Sequence, residues 1–370
     1  MIEMTTSPET RKQEIEGYEA PEPGGWDGYP LDELSIRDER RSAMDVARRI
    51  DQGRFVLDPD FQRGFVWDEK KQSRLIESIL MRIPLPVFYV AEDADGRLIV
   101  VDGRQRLATL QHFFKGELRL SLKDRAELNG KKFDDLEDRL KNRVEDCQLL
   151  FYIIDHDVPE RARLDIFERV NGGEKLTRQQ MRNAIYNGEG TQFLKNEAES
   201  DLFRKATGDS LNVKTMQDRE FVNRFCAFSL LSLKTYKGDM DDWLARGLTE
   251  LGKLPEENRC ALSNKFRHSL KNNQTVFGRH AFRKYDSMDQ DSRRRPINVS
   301  IFDVMSVELA EYSERTVKLH TKKLHQSFSA LLTEKEFMDA TTLGTNSKKN
   351  VFKRFEMASK MMQEVFSDAL

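Results

Sequence analysis

The sequence predicts an α+β chain, with a small mixed sheet and short helices in the N-terminal half followed by a predominantly α-helical C-terminal half. Two observations carry this. Short apolar runs at 87–91, 98–101 and 148–154 have the length and β-branched content of buried strands and alternate with helical stripes. Past residue 188 strand signals fade, and segments such as 221–233, 301–312, 317–332 and 348–366 carry helical periods. No internal repeat or heptad array is present.

Taken in order, residues 1–30 are polar and crowd Pro21, Pro23, Gly24, Gly25, Gly28 and Pro30 together, which predicts a flexible tail that Trp26 and Tyr29 could dock. Order is expected from Leu31. Ser42 can cap a helix carrying Met44, Val46, Ala47 and Ile50 that stops at Gly53, and an extended piece follows at 55–57. Asp68 can cap a second helix with an apolar stripe of Leu75, Ile76, Ile79, Leu80 and Ile83, which Pro84 and Pro86 end. The strands at 87–91 and 98–101 turn at Asp95-Gly96, and a third strand spans 148–154. Pro159 opens a helix that Asn171-Gly172-Gly173 breaks. Thr177 and Gln180 then have capping-box spacing for a helix ending near Gly188. The expected domains are therefore 31–188 and a helical 189–370.

Composition narrows the function classes. Of the 370 residues 34% are charged, yet acids and bases nearly cancel to a net charge of -2. Any nucleic-acid contact must then come from a local patch instead of a global field. No apolar run approaches the roughly 20 residues needed to cross a bilayer, and the first residues lack a signal-peptide core. A cytoplasmic chain without membrane contact is expected. Cys147, Cys226 and Cys260 form an odd, widely spaced set without C-x-x-C, as expected of ordinary reduced thiols.

The densest chemistry lies at 97–110, R-L-I-V-V-D-G-R-Q-R-L-A-T-L, where a buried strand breaks through Asp-Gly into a helix. Gly103 can bring backbone close to a ligand, and the helix start offers free N–H groups and a positive dipole end. Arg104 and Arg106 add forked cationic donors, and Asp102 an acid able to hold a metal ion or orient water. The same residues also suit a plain strand-turn-helix with solvated arginines. Upstream, P-D-F-Q-R-G-F-V-W at 59–67 combines the donors of Gln62 and Arg63 with the flat surfaces of Phe61, Phe65 and Trp67, which can stack on a base or serve as core.

In combination, D-F-Q-R-G-F-V-W, a helix ending I-P-L-P, a strand and D-G-R-Q-R resemble the N-terminal domain of GmrSD-type modification-dependent restriction enzymes, of the ParB and sulfiredoxin-like superfamily. The family hallmark is D-G-Q-Q-R, so Arg104 stands where glutamine is usual; a charge is added and an acceptor removed. The likeness continues through I-F-E-R-V-N-G-G-E-K-L-T-R-Q-Q-M-R-N-A and, more weakly, V-F-G-R-H-A-F-R-K, I-N-V-S-I-F-D and L-G-T-N-S.

The resemblance implies a ParB/sulfiredoxin-like domain that binds a nucleoside triphosphate with Mg2+ and often hydrolyses it, coupling nucleotide state to recognition or cleavage of modified foreign DNA. Carried over by position, Asp102, Gly103, Arg104, Gln105 and Arg106 form the nucleotide site, with Asp102 and Arg106 catalytic and Asp102 the metal ligand. Gln62 and Arg63 stand beside it, joined by Asn171 and, less directly, Arg169. Phosphoryl transfer needs positioning and charge more than a covalent nucleophile, so an acid with arginines suffices.

Two further readings stay open: a non-enzymatic module controlling a partner nuclease, with possible homo-oligomers, and a metal-dependent ParB-like DNase. No Walker A sequence occurs. His268, Asn273 and His280 fall in a helix-like stretch without the hairpin of a metal-finger nuclease, and His320 and His325 are spaced five apart. Lys265, Arg267, Lys271, Arg279, Arg283, Lys284, Arg293, Arg294 and Arg295, set against Asp286, Asp289 and Asp291, could form a phosphate-backbone face or an ordinary solvated surface.

Overall fold

The computed structural model describes residues 15–18, 36–57, 67–93, 95–170, 177–285 and 294–367. The chain divides into two compact units, one of residues 23–187 and one of residues 1–22 with 188–370. The first contains β1 (Ile36–Ser42), α1 (Ala43–Asp51), β2 (Phe55–Val56), α2 (Glu69–Leu80), β3 (Phe88–Glu92), β4 (Leu98–Asp102), α3 (Arg104–Phe114), α4 (Asp138–Glu145), β5 (Gln148–Ile154), α5 (Glu160–Val170) and α6 (Arg178–Ile185).

The five strands order as β1-β5-β3-β4-β2. β1 is antiparallel to β5, β5 parallel to β3, β3 antiparallel to β4, and β4 parallel to β2. Alternation along the strands supplies two apolar faces. Val90, Val100, Phe151 and Ile153 pack with Val46, Ile76, Leu107 and Leu110 of α1, α2 and α3. Ala91 and Ile154 pack with Leu164, Phe167, Met181 and Ile185 of α5 and α6. Helices therefore cover both sides of the sheet.

Local signals set several boundaries. Ser42 accepts from the Asp45 N–H at 3.2 Å and Asp68 from the Lys71 N–H at 2.8 Å, as their cap positions predict. Thr177 and Gln180 form the reciprocal capping box, at 3.2 Å and 2.7 Å. However, α6 ends at Ile185 with Tyr186 as its C-cap, and Gly188 is the N-cap of the next helix. β1 has no counterpart in the sequence expectations. Its I-R-D-E-R-R-S run has no apolar alternation, and it becomes a strand by pairing with β5 from Ile36↔Ile154 to Ser42↔Gln148. A charged edge strand also discourages pairing with other chains.

The second unit contains α7 (Glu189–Ala198), α8 (Asp201–Thr207), α9 (Gln217–Leu230), α10 (Met240–Lys253), α11 (Glu256–Phe277), α12 (Val299–Glu308), α13 (Glu314–Leu331), α14 (Lys335–Ala340) and α15 (Lys348–Phe366). α12 is buried all round from Val299 to Ser306. At its centre, fully buried Asp303 accepts two bonds from Arg224, at 2.7 and 2.8 Å, and one from Arg354 at 2.7 Å. Among the described residues no helix is long and apolar enough to cross a membrane.

Residues 15–18 depart from the flexible-tail expectation. The Glu16 N–H donates to Ile297 O at 2.9 Å, and Glu16 O accepts from the Val299 N–H at 3.1 Å. The Glu16 carboxylate meets Lys284 Nζ at 2.7 Å, and Gly17 O accepts from Thr345 at 2.9 Å. Backbone pairing and one buried cation hold this segment, and neither leaves a periodic signal in the sequence.

Candidate functional site

β4 is a buried run, L-I-V-V-D, that ends at Asp102, and α3 begins two residues later. Gly103 makes this turn with φ of 97°. A Cβ there would lie 2.3 Å from Phe88 Cδ1 and 3.1 Å from Arg106 Nη2. Only glycine fits, both for its φ and for the space. Gly103 is buried, and the Phe88 ring fills the space that a side chain would need.

Arg106 is held from several directions. Its Nη2 donates to Asp102 Oδ2 at 2.7 Å and to Val87 O at 3.2 Å, and its Nη1 donates to Pro86 O. The guanidinium carbon lies 4.3 Å from the centroid of the Phe88 ring, a cation–π contact. The side chain is 11% exposed and that of Asp102 36%, so Arg106 is a positioned group and not the solvated donor of the plain alternative. Burial draws its pKa below the usual arginine value, while the charge and hydrogen bond of Asp102 act in the opposite direction.

Gln105 connects this turn to the aromatic segment. The Trp67 N–H donates to Gln105 Oε1 at 3.3 Å, and Trp67 O accepts from Gln72 Nε2 at 2.7 Å. Trp67 is half-buried and packs against the unit's core, so this aromatic is a wall of the fold. Arg104 occupies the first position of α3, where the glycine N-cap provides no side-chain cap for the N–H groups of the first turn. Gln62, Arg63, Phe61, Phe65 and Asn171 lie outside the described residues. Arg169 is exposed in the last turn of α5.

A polar cluster on α6 escaped the sequence reading. Gln179, Arg182 and Asn183 are 0%, 1% and 2% exposed, although their side chains are polar. Gln179 Nε2 donates to Asn183 Oδ1 at 2.8 Å and Arg182 Nε to Gln179 Oε1 at 3.1 Å. Beside them, Arg178 meets Asp165 at 2.6 Å. The available signal was the placement of these residues at i, i+3 and i+4 beside Met181 and Ile185, a helix enclosed on both flanks.

In the helical unit the basic residues divide between buried and surface positions. Lys265 pairs with Glu311 at 2.5 Å, Arg267 with Glu197 at 2.8 Å and Lys271 with Glu314 at 3.3 Å. Arg283 is 1% exposed and donates to the carbonyls of Thr207, Ala281 and Arg295, while Lys284 is 4% exposed against Glu16. Burial, with the charge of Arg294 adding to it, lowers the Arg283 pKa to about 10. Arg283 and Lys284 are thus buried groups of the fold, whereas Lys265, Arg267 and Lys271 are partly exposed and each pairs with an acid. Arg293, Asp286, Asp289 and Asp291 lie outside the described residues.

The histidine candidates have structural partners as well. His268 Nε2 is 2.7 Å from Tyr312 O, His320 Nδ1 is 2.9 Å from Thr316 O, and buried Asn273 donates to Ser269 O and Met305 O. Among the described residues no three His, Cys, Asp or Glu side chains are grouped to hold a metal ion.

Residues 45–187 match the family model of the GmrSD restriction endonuclease, N-terminal domain. No curated protein and no solved structure matches the chain.

Proposed function

Because residues 45–187 belong to the GmrSD restriction endonuclease N-terminal domain family, we propose that this chain is a restriction-type defence component. In this reading the sheet unit binds and hydrolyses a nucleoside triphosphate at the end of β4 and couples its state to recognition or cleavage of foreign or modified DNA. The observation that carries the proposal is the Trp67–Gln105 hydrogen bond, which ties the last residue of the aromatic motif to the Asp102–Arg106 turn.

The donor set suits a triphosphate. α3 starts at a glycine N-cap that supplies no side-chain cap and offers its positive dipole end, and Arg104 adds a guanidinium at its first position. Asp102 has one oxygen on Arg106 and more than a third of its side chain exposed. One carboxylate together with phosphate oxygens and water is a usual Mg2+ environment, so Asp102 fits the metal ligand role. Bound there, the metal would neutralise phosphate charge. Arg106 fixes the Asp102 carboxylate and holds the Pro86 and Val87 carbonyls, so the acid is already oriented when nucleotide arrives.

A second reading, a binding-only regulator of a partner nuclease, is favoured by the same ion pair, since Arg106 already has Asp102 and two carbonyls as acceptors. Nucleotide affinity and phosphate release of the wild type, Arg106→Ala and Arg104→Gln, with and without modified DNA, test both. Binding with turnover supports the first reading. Binding without turnover, accompanied by a change in oligomer size, supports the second. Neither binding nor turnover in the wild type overturns both.

A further inference from the structure

A cleft in the sheet unit lies between the C-terminal end of α2, the connector at 82–85 and α4. It encloses about 770 Å³, within the range of about 300–1,000 Å³ usual for small-ligand sites. Its floor is aliphatic, formed by Ile79, Ile83, Pro84 and Leu85. Its charges are Arg82, Arg139 and Arg143 against the single carboxylate of Asp146.

These arginines lack the carboxylate partner that some others in the unit have. Arg125 pairs with Glu77 at 3.0 Å and Arg106 with Asp102 at 2.7 Å. Among the described residues no carboxylate pairs with Arg82, Arg139 or Arg143. Arg143 Nη1 donates to Leu80 O at 3.2 Å, while its Nε is buried and has no hydrogen-bond partner. A buried donor left unmatched is costly unless a ligand or water completes it. Arg82 also holds φ of 59°, a left-handed conformation that side-chain-bearing residues rarely adopt. Arg139 and Arg143 stand one turn apart on α4, spaced to share one anion.

We propose that this cleft binds a phosphate monoester carried on a nucleoside, supplied either by a free nucleotide or by the 5′-phosphorylated end of a DNA strand. Three guanidinium groups less one carboxylate leave two positive charges, the complement of a monoester that carries about −1.5 to −2 at neutral pH. An internal DNA phosphate is a diester with a single charge and matches less well. The forked arginine donors suit phosphate oxygens, and the aliphatic floor covers the sugar or the base. Pro84 lies two residues before Pro86, whose carbonyl Arg106 holds, so one connector borders both this cleft and the end of β4. The proposal uses different residues from the nucleotide reading there and stands independently of it.

Calorimetric titration of the full chain tests this with a nucleoside 5′-monophosphate, the parent nucleoside, and an oligodeoxynucleotide bearing a 5′-phosphate or a 5′-hydroxyl. The expected result is binding of the phosphorylated probes only, weakened at least tenfold in Arg139→Gln and in Arg82→Gly and unchanged in Arg97→Gln, an exposed arginine that pairs with Asp93 away from the cleft. Glycine adopts a left-handed φ without strain, so Arg82→Gly removes the charge and keeps the backbone. Binding of both phosphorylated probes assigns the cleft to the monoester itself, and binding of the strand alone assigns it to DNA ends. Equal affinity for phosphate and hydroxyl probes, or affinity that neither cleft variant changes, overturns the proposal. Monophosphate binding that persists in a wild type unable to bind triphosphate would sink the β4 reading and leave this one standing.

Discussion

The Trp67 backbone N–H donates to the side chain of Gln105 at 3.3 Å across 38 residues of sequence. Gln72 holds the carbonyl of the same residue at 2.7 Å, so Trp67 is tied on both sides of its backbone. The junction between the aromatic segment and α2 is thus positioned from the helix that starts the candidate site. Gln105→Ala is expected to cost about 1 kcal/mol, the usual worth of one such bond. Amide hydrogen exchange at Trp67 should quicken, with exchange in the middle of α2 unchanged.

Gly103→Ala should be among the most damaging small substitutions in the sheet unit. The added methyl would meet Phe88 at 2.3 Å and the residue would keep φ of 97°. Strain of this kind and overpacking cost about 1–3 kcal/mol each. Adding Phe88→Ala should not restore stability, because the backbone penalty persists and a cavity is added. Urea denaturation of the single and double variants checks both outcomes.

Asp102 and Arg106 should behave as one unit in a double-mutant cycle. Removing Asp102 alone leaves a largely buried guanidinium on two carbonyls, at a cost of about 1 kcal/mol once the exposure of the carboxylate is discounted. Removing Arg106 alone also leaves the Pro86 and Val87 carbonyls without their donor and should cost about 2–3 kcal/mol. The double variant should cost less than the sum, with a coupling of about 0.5–3 kcal/mol. Strict additivity in denaturation measurements would contradict the pairing.

Acid should loosen the packing of α1 on α3. Hydrogen bonds from Lys115 and Gln111 to Asp51 hold its carboxyl below the usual aspartate value. A folded-state value lower than the unfolded one stabilises fully above the unfolded pKa of about 3.9, and this contribution is lost as pH falls through the folded value. Burial raises the Asp45 value, but hydrogen bonds and charge from Arg48 and Arg49 outweigh it and give the same sign. The urea midpoint should therefore fall between about pH 5 and about pH 3, and fall less in Asp51→Asn.

In the helical unit Asp303→Asn should be severely destabilising. Arg224 and Arg354 converge on this fully buried carboxylate, and the neutral amide would leave desolvated Arg354 without its carboxylate and Arg224 with only Glu220 at 3.8 Å. Breaking a buried pair costs about 3–5 kcal/mol. The loss should register as a lower denaturation midpoint for the helical unit.

Much of the fold was legible because the deciding interactions are local. Ser42, Asp68 and the Thr177–Gln180 pair cap helices within three residues of themselves, and the apolar runs of β3, β4 and β5 mark strands buried on both faces. β1 was not legible, because a strand made of charged residues is defined by its partner. Residues 15–18 were not legible either, since Glu16 is held by residues almost 300 positions away. Within the candidate site, the cluster from Asp102 to Arg106 could be read as a strand-turn-helix rich in donors. The Phe88 ring and the Pro86 and Val87 carbonyls could not, because nothing in their residue types marks them as neighbours of that turn.

By itself the sequence determined where helices begin, which runs form the inner strands, and that an acid and two arginines flank one tight turn. Those features follow from hydrogen bonds and periodicities spanning a few residues. Only the tertiary structure decided what each charge faces. It placed Arg106 on Asp102 and the Phe88 ring, buried Arg283 and Lys284, and left three arginines around a cleft with one acid. Charge is a property of the residue, but its partner and its exposure to water depend on groups brought together from distant parts of the chain.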